Sequence, residues 1–206
     1  MISRRDCLLG SIALTTLTGC VGVPPRPGTP EEVSRLAAAL AGLGPNVSRQ
    51  EARRAADVTY SYVYQLALEY EIEDSPTVHN AKVNNGTKPR GLCYQWAHDL
   101  EARLKLERFR TLDLHRVVAA NKGRYNLEHS IVVMTARGDD YEEGIILDPW
   151  RLGGRLTWMR VPEDTDYTWR PRTPAVAEVL SRKYGQPARI IDDDTIMIGD
   201  KVFKPE

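Results

Sequence analysis

Residues 91–119, GLCYQWAHDLEARLKLERFRTLDLHRVVA, contain the change of hydrophobic period on which the fold turns. In the first half Trp96, Ala97, Leu100 and Leu104 recur at helical spacing, so a helix starts near Cys93. From Leu112 to Ala119 the apolar residues alternate or run in short blocks, as on a half-buried strand. Helical patterns lie before this junction and strand patterns dominate after it. That order predicts an α+β fold, with N-terminal helices packed on an antiparallel β-sheet.

Upstream, Thr29-Pro30-Glu31-Glu32 reads as a capping box with Pro at the first helical position, opening a helix that Gly44-Pro45 ends. Ser48-Arg49-Gln50-Glu51 reads as a second box. It opens a long helix whose buried stripe is Ala52, Ala55, Ala56, Thr59, Tyr62, Val63, Leu66, Ala67 and Tyr70. Tyr60, Tyr62 and Tyr64 read as packing at a core edge. Glu73 to Arg90 is polar and holds Pro76, Gly86 and Pro89, which predicts a long surface loop.

Downstream, strands are expected at Leu112–Ala119, His129–Ala136, Gly144–Leu147 and Leu156–Val161. Turns at Lys122-Gly123, Gly138-Asp139-Asp140 and Gly153-Gly154 separate them, an antiparallel meander. Pro174–Tyr184 reads as a helix, and Arg189–Ile191 and Thr195–Phe203 as closing strands, the latter turning at Gly199-Asp200. No repeat and no second domain is visible, so residues 30–206 read as a single domain.

The 206 residues carry 28 basic and 28 acidic side chains, with 42% hydrophobic and 27% charged. This composition belongs to a globular chain. It lacks the clustered positive charge that nucleic-acid binding exploits. Three cysteines are too few and too odd in number for a disulfide framework. The N-terminus accounts for two of them. Arg4 and Arg5 precede an apolar stretch from Cys7 to Leu17, too short to cross a hydrocarbon core of ~30 Å.

Leu17-Thr18-Gly19-Cys20 follows and resembles a bacterial lipobox, while Ser3-Arg4-Arg5-Asp6-Cys7-Leu8-Leu9 resembles a twin-arginine export signal. The resemblance implies a signal peptide over residues 1–19, removal of Cys7 and lipidation of Cys20. Acyl chains contribute ~0.8 kcal/mol per buried CH₂, enough for a firm membrane anchor. Residues 20–29 then form the lipidated cysteine and a Pro/Gly tether that holds the domain off the bilayer. Val21, in place of an Asp after the cysteine, favours the outer membrane in a cell that has one. Losing Arg4, Arg5 and Asp6 leaves 26 basic and 27 acidic residues, so the near-neutrality survives.

One thiol is left, and Gly91-Leu92-Cys93 places it where a loop becomes a helix. Helix-start amides favour a thiolate over a thiol and are ready donors to an oxyanion. His129 heads the apolar strand Ser130-Ile131-Val132-Val133 and shares a face with Ile131 and Val133. Asp148 ends Gly144-Ile145-Ile146-Leu147-Asp148-Pro149. Pairing of these two strands brings His129 toward Asp148, and a carboxylate on one imidazole nitrogen frees the other for a thiol proton. His98 lies about 140° around the helix from Cys93, off the thiol's face. His79 and His115 have no partner spacing, and no cysteine pair or His-x-x-x-His supports zinc. Asp192-Asp193-Asp194 reads as a solvated turn.

A Gly-x-Cys at a helix start, a His heading an apolar strand and an Asp-Pro ending the next resemble the transglutaminase-like fold of the papain-like cysteine enzymes. The resemblance covers about residues 89–151. It implies Cys93 as nucleophile, His129 as general base and acid, Asp148 as its orienter, and no cofactor or metal. Trp96 and Trp150 would wall the site, and Asn85, with Asn84, is the upstream candidate for an oxyanion side chain. After the histidine, where the family often has an aromatic residue, this chain has Ser130 and Ile131. The implied activity is that of a membrane-anchored hydrolase of the cell envelope, cleaving peptide or side-chain amides through a thioester. The alternatives are an acyl transferase or cross-linking enzyme with the same triad, or an inactive module that binds envelope protein or glycan.

Overall fold

The computed structural model describes residues 24–120 and 127–204. The readings on residues 1–23, Cys7 and Cys20 among them, and the Lys122-Gly123 turn lie outside the described residues. Five α-helices and an antiparallel five-stranded sheet within them make the chain α+β. None of the described helices is long and apolar enough to cross a membrane.

α1 (Pro30–Ala41) starts as its sequence dictates: Thr29 Oγ1 accepts the Glu32 amide at 3.2 Å, and the Glu32 carboxylate accepts the Thr29 amide at 2.8 Å. α2 (Arg49–Glu69) carries only half of the expected box. Ser48 Oγ caps the Glu51 amide, but the Glu51 carboxylate turns away from the helix start. It accepts the amides of Arg110 and Thr111 and the Thr111 hydroxyl at 2.7–3.0 Å. Those three donors would otherwise be under-satisfied at the foot of the sheet, so the tertiary bonds win over the local one.

The segment read as a loop contains α3 (Pro76–Asn84), a correction to that expectation. Ser75-Pro76 pre-sets the first turn. The helix buries His79 as its one fully covered residue, so no apolar stripe announces it. α4 (Cys93–Lys105) follows, with Trp96, Leu100 and Leu104 in the core.

The sheet comprises β1 (Leu112–Ala120), β2 (Leu127–Ala136), β3 (Ile145–Asp148), β4 (Thr157–Arg160) and β5 (Trp169–Pro171), in the order β4-β3-β2-β1-β5 with every neighbour antiparallel. The meander is as expected; β5, a three-residue strand ending in Pro, is additional. Its Pro171 sits at the strand end, where a missing N–H costs no ladder bond. Pairing of Val117 with Ile131 and of Val133 with Ile146 puts Val117, Ile131, Val133 and Ile146 on one face. Val132, Met134, Ile145 and Leu147 lie on the other, against α1, α2 and α4. Trp169, Val161, Met159 and Tyr167 cover the first face in a smaller core.

α5 (Arg172–Tyr184) ends at Gly185 in the left-handed region and leads to a separate small sheet. That sheet is β6 (Arg189–Asp192), β7 (Thr195–Ile198) and β8 (Lys201–Phe203). Asp192–Asp194 make the turn between β6 and β7. Residues 24–29 form neither helix nor strand, as their composition requires, but they are no free tether. Arg26 makes a two-pronged ion pair with Glu32 at 2.6 and 2.7 Å. Gly28 lies so close to the Tyr60 ring that a Cβ would come within 2.3 Å of it.

Candidate active site

Cys93 is the first residue of α4, and the backbone before it is tightly specified. Gly91 has φ = +129°, a conformation L side chains rarely adopt, and a Cβ there would lie 2.4 Å from His79 Nε2. The amides of Gly91 and Leu92 donate to Gln95 Oε1 at 2.9 and 3.0 Å. The Trp96 indole N–H donates to the Gly91 carbonyl at 3.0 Å. The amides of Cys93 and Tyr94 begin the helix, where no preceding turn offers them acceptors. They present the helix-start dipole next to the sulfur.

His129 arrives from β2 on the same face as Ile131 and Val133, and Asp148 from β3 on the face of Ile146. The register of the two strands brings them together: His129 Nε2 donates to Asp148 Oδ2 at 2.7 Å, both side chains fully buried. Asp148 is held from three more directions. Its Oδ1 accepts the amides of Trp150 and Arg151, each at 3.1 Å, and Oδ2 accepts Arg151 Nε at 3.0 Å. Arg151 is itself paired with Asp164 at 2.7 Å and Asp166 at 3.3 Å.

Burial by itself would push the Asp148 carboxyl up; the bond to His129 and the charges of His129 and Arg151 outweigh it and hold the group below its ordinary value. Burial likewise opposes a charged His129, but the bond to Asp148 and the nearby charges of Asp148 and the Cys93 sulfur prevail and raise it to about 9.

With Nε2 committed to Asp148, Nδ1 is the nitrogen left for the sulfur. Among the described residues it has no aligned hydrogen-bond partner, although the Cys93 thiol is near enough to act on the ring. Loose alignment of this kind is usual before substrate binds. Cys93 and His129 open together into a cavity of about 350 Å³. Tyr94, Val118 and Val176 form its apolar wall, Ser130 lines it beside His129, and Arg172 also borders it.

Of the flanking residues expected to wall the site, Trp150 stands beside His129 but does not border the cavity. Its ring lies 4.8 Å from the His129 ring, and its indole N–H donates to Asn80 Oδ1 at 3.0 Å. Tyr167 and Trp169 complete an aromatic surround at 5.0 and 5.6 Å. A charged imidazole is favoured among such ring faces.

Trp96 does not wall the cavity. It is buried in the main core, where its large ring fills space under the Gly91 turn that its indole N–H fixes. Asn85 does not reach the cavity either. It ends α3 exposed, and its side-chain oxygen accepts from the Thr87 amide and hydroxyl.

Arg151, Gln95, His79 and Asn80 were not anticipated. Asp148-Pro149-Trp150-Arg151 carried a usable signal, since an Asp commonly caps amides two and three residues on. His79 and Asn80 had none, being brought in by α3. His115 contacts Thr135 Oγ1 at 3.0 Å and His98 is exposed. A second cavity of about 240 Å³ is bordered by Glu101, Lys105, Arg116 and Asp194 and has no cysteine in its lining. Among the described residues no three His, Cys, Asp or Glu converge as a metal site. No protein-family model, curated protein or solved structure matches this chain.

Proposed function

We propose that this chain is a cysteine hydrolase of the transglutaminase-like, papain-like type, cleaving peptide or side-chain amides. The observation that carries the reading is the His129 ring, bonded to buried Asp148 through Nε2, its Nδ1 left over, bordering one cavity with Cys93. Sγ attacks the substrate carbonyl carbon with its proton held on Nδ1. The carbonyl oxygen, now an oxyanion, meets the amides of Cys93 and Tyr94. As the C–N bond breaks, Nδ1 gives its proton to the leaving amine, and the acyl group stays on sulfur as a thioester. His129 then takes a proton from water as its oxygen attacks the thioester; the acid leaves and the thiol is restored. A value near 9 keeps a proton on the ring at neutral pH, as the acid step needs.

The lipobox resemblance at Cys20 adds the setting: an exported, lipid-anchored enzyme of the cell envelope, taking envelope proteins or peptides as substrates. The test is trapping of envelope peptides on the full chain, with Cys93→Ala as control. A thioester-linked acyl group found by mass spectrometry at Cys93 and absent from the control is expected. Release of free acid then marks hydrolysis, and release as an amide of an added amine marks acyl transfer. No adduct at Cys93 with any envelope fraction would leave a binding module as the better account.

A further inference from the structure

We propose that α3 is a clamp on both arms of the catalytic site, with His79 and Asn80 as its positioning residues; the inference rests on the Cys93–His129–Asp148 reading. The two residues are adjacent on α3 and reach opposite arms. His79 Nε2 lies 2.8 Å from the Arg90 carbonyl oxygen. A carbonyl only accepts, so Nε2 carries the proton and donates it. This bond grips the chain three residues before the nucleophile, and Gly91 passes so close to the same imidazole that only a glycine fits. His79 is 1% exposed and therefore cannot swing out to exchange this bond for water.

Asn80 Oδ1 accepts the Trp150 indole N–H at 3.0 Å, and the Trp150 ring rests 4.8 Å from His129. Trp150 also donates its backbone amide to Asp148. Holding the indole therefore holds the histidine and the carboxylate that orients it. One short helix thus sets the distance between sulfur and Nδ1 from both sides. Neither residue borders the cavity, so neither touches substrate.

The test uses the full chain and the rate at which iodoacetamide alkylates Cys93, read by peptide mass so that Cys7 and Cys20 do not interfere. His79→Phe removes the donor and keeps a planar ring, and Asn80→Ala removes the acceptor. Each is expected to slow Cys93 by about 10-fold or more, since a misplacement near 1 Å costs on the order of 10²-fold. His79→Gln, which keeps a side-chain N–H, and Asn80→Asp, which keeps an oxygen, are expected to restore most of the rate. A destabilising packing defect would not be rescued so. Asn80 is half-exposed, so its variants report even where His79→Phe folds poorly. Wild-type rates in His79→Phe and Asn80→Ala, or losses without rescue, overturn the clamp and leave the triad standing if His129→Ala is slow. A Cys93 rate unchanged by His129→Ala overturns the triad, and the clamp with it.

Discussion

At the scale of single residues, the proposed chemistry depends on keeping Asp148 ionised in its buried place. Four donors from His129, Arg151 and two backbone amides achieve this. An unpaired buried carboxylate would take up a proton instead. Asp148→Asn keeps the shape and removes the charge. The support that lifts His129 to about 9 is then lost, and its value should fall, which an NMR titration of the imidazole reads directly. Loss of the oriented, protonated ring should reduce amide cleavage by on the order of 10²–10⁴-fold. An unmoved His129 titration would sink this account of the pair. Arg151 belongs to the same argument. Burial would lower its own value, but the bonds to Asp164 and Asp148 raise it, and with the pair to Asp166 they anchor the turn that carries Trp150.

At the scale of elements, the joints matter more than the elements themselves. α1, α2, α4 and the four meander strands were legible because each has a cap, a flanking turn or one clear hydrophobic period. α3 and β5 were not, because neither has a stripe of its own: α3 is held by His79 and Asn80, and β5 by its pairing with β1. The joint between α2 and β1 is likewise invisible locally, since Glu51 looks like half of a capping box. Its carboxylate serves three donors at residues 110–111, with bonds to a charged group that contribute about 1.5–3 kcal/mol each. Glu51→Ala should therefore destabilise the chain by on the order of 3 kcal/mol in urea unfolding. Cys93 alkylation of the folded protein should stay unchanged, because the joint lies outside the site.

At the scale of the whole molecule, the even charge balance hides a coupled group of buried charges whose effect on stability has a definite sign. His129 sits near 9 when folded against an ordinary 6.5. Its contribution is fully present below about 6.5 and is lost as pH rises through about 9. The shift sets a ceiling of roughly 3 kcal/mol. Asp148 is held below its ordinary 3.8, so its contribution is present above that value and is lost as pH falls below it. Once the thiol is removed, in Cys93→Ala, stability from urea unfolding should thus fall as pH rises above 6.5, because Asp148 still raises His129. In the wild type the fall should be shallower, because a proton that the imidazole takes from the sulfur leaves the number of protons bound on folding unchanged. An equal slope in the two proteins would show that the sulfur does not act on the ring.

The sequence by itself determined the α+β order, the limits of most helices and strands, and the identity of Cys93, His129 and Asp148 as the residues to watch. Those features are written in short-range periods, caps and residue chemistry. Only the tertiary structure decided that Trp96 packs beneath the site while Trp150 stands beside His129, that the Glu51 carboxylate turns to residues 110–111, and that Gly28 lies against Tyr60. It also decided that Arg151, His79 and Asn80 converge on the arms of the site. Each of these turns on which groups the fold brings together, whether a ring against a backbone or a polar group and its partner. Which partner is near depends on how the sheet and helices pack, and no local pattern carries that information.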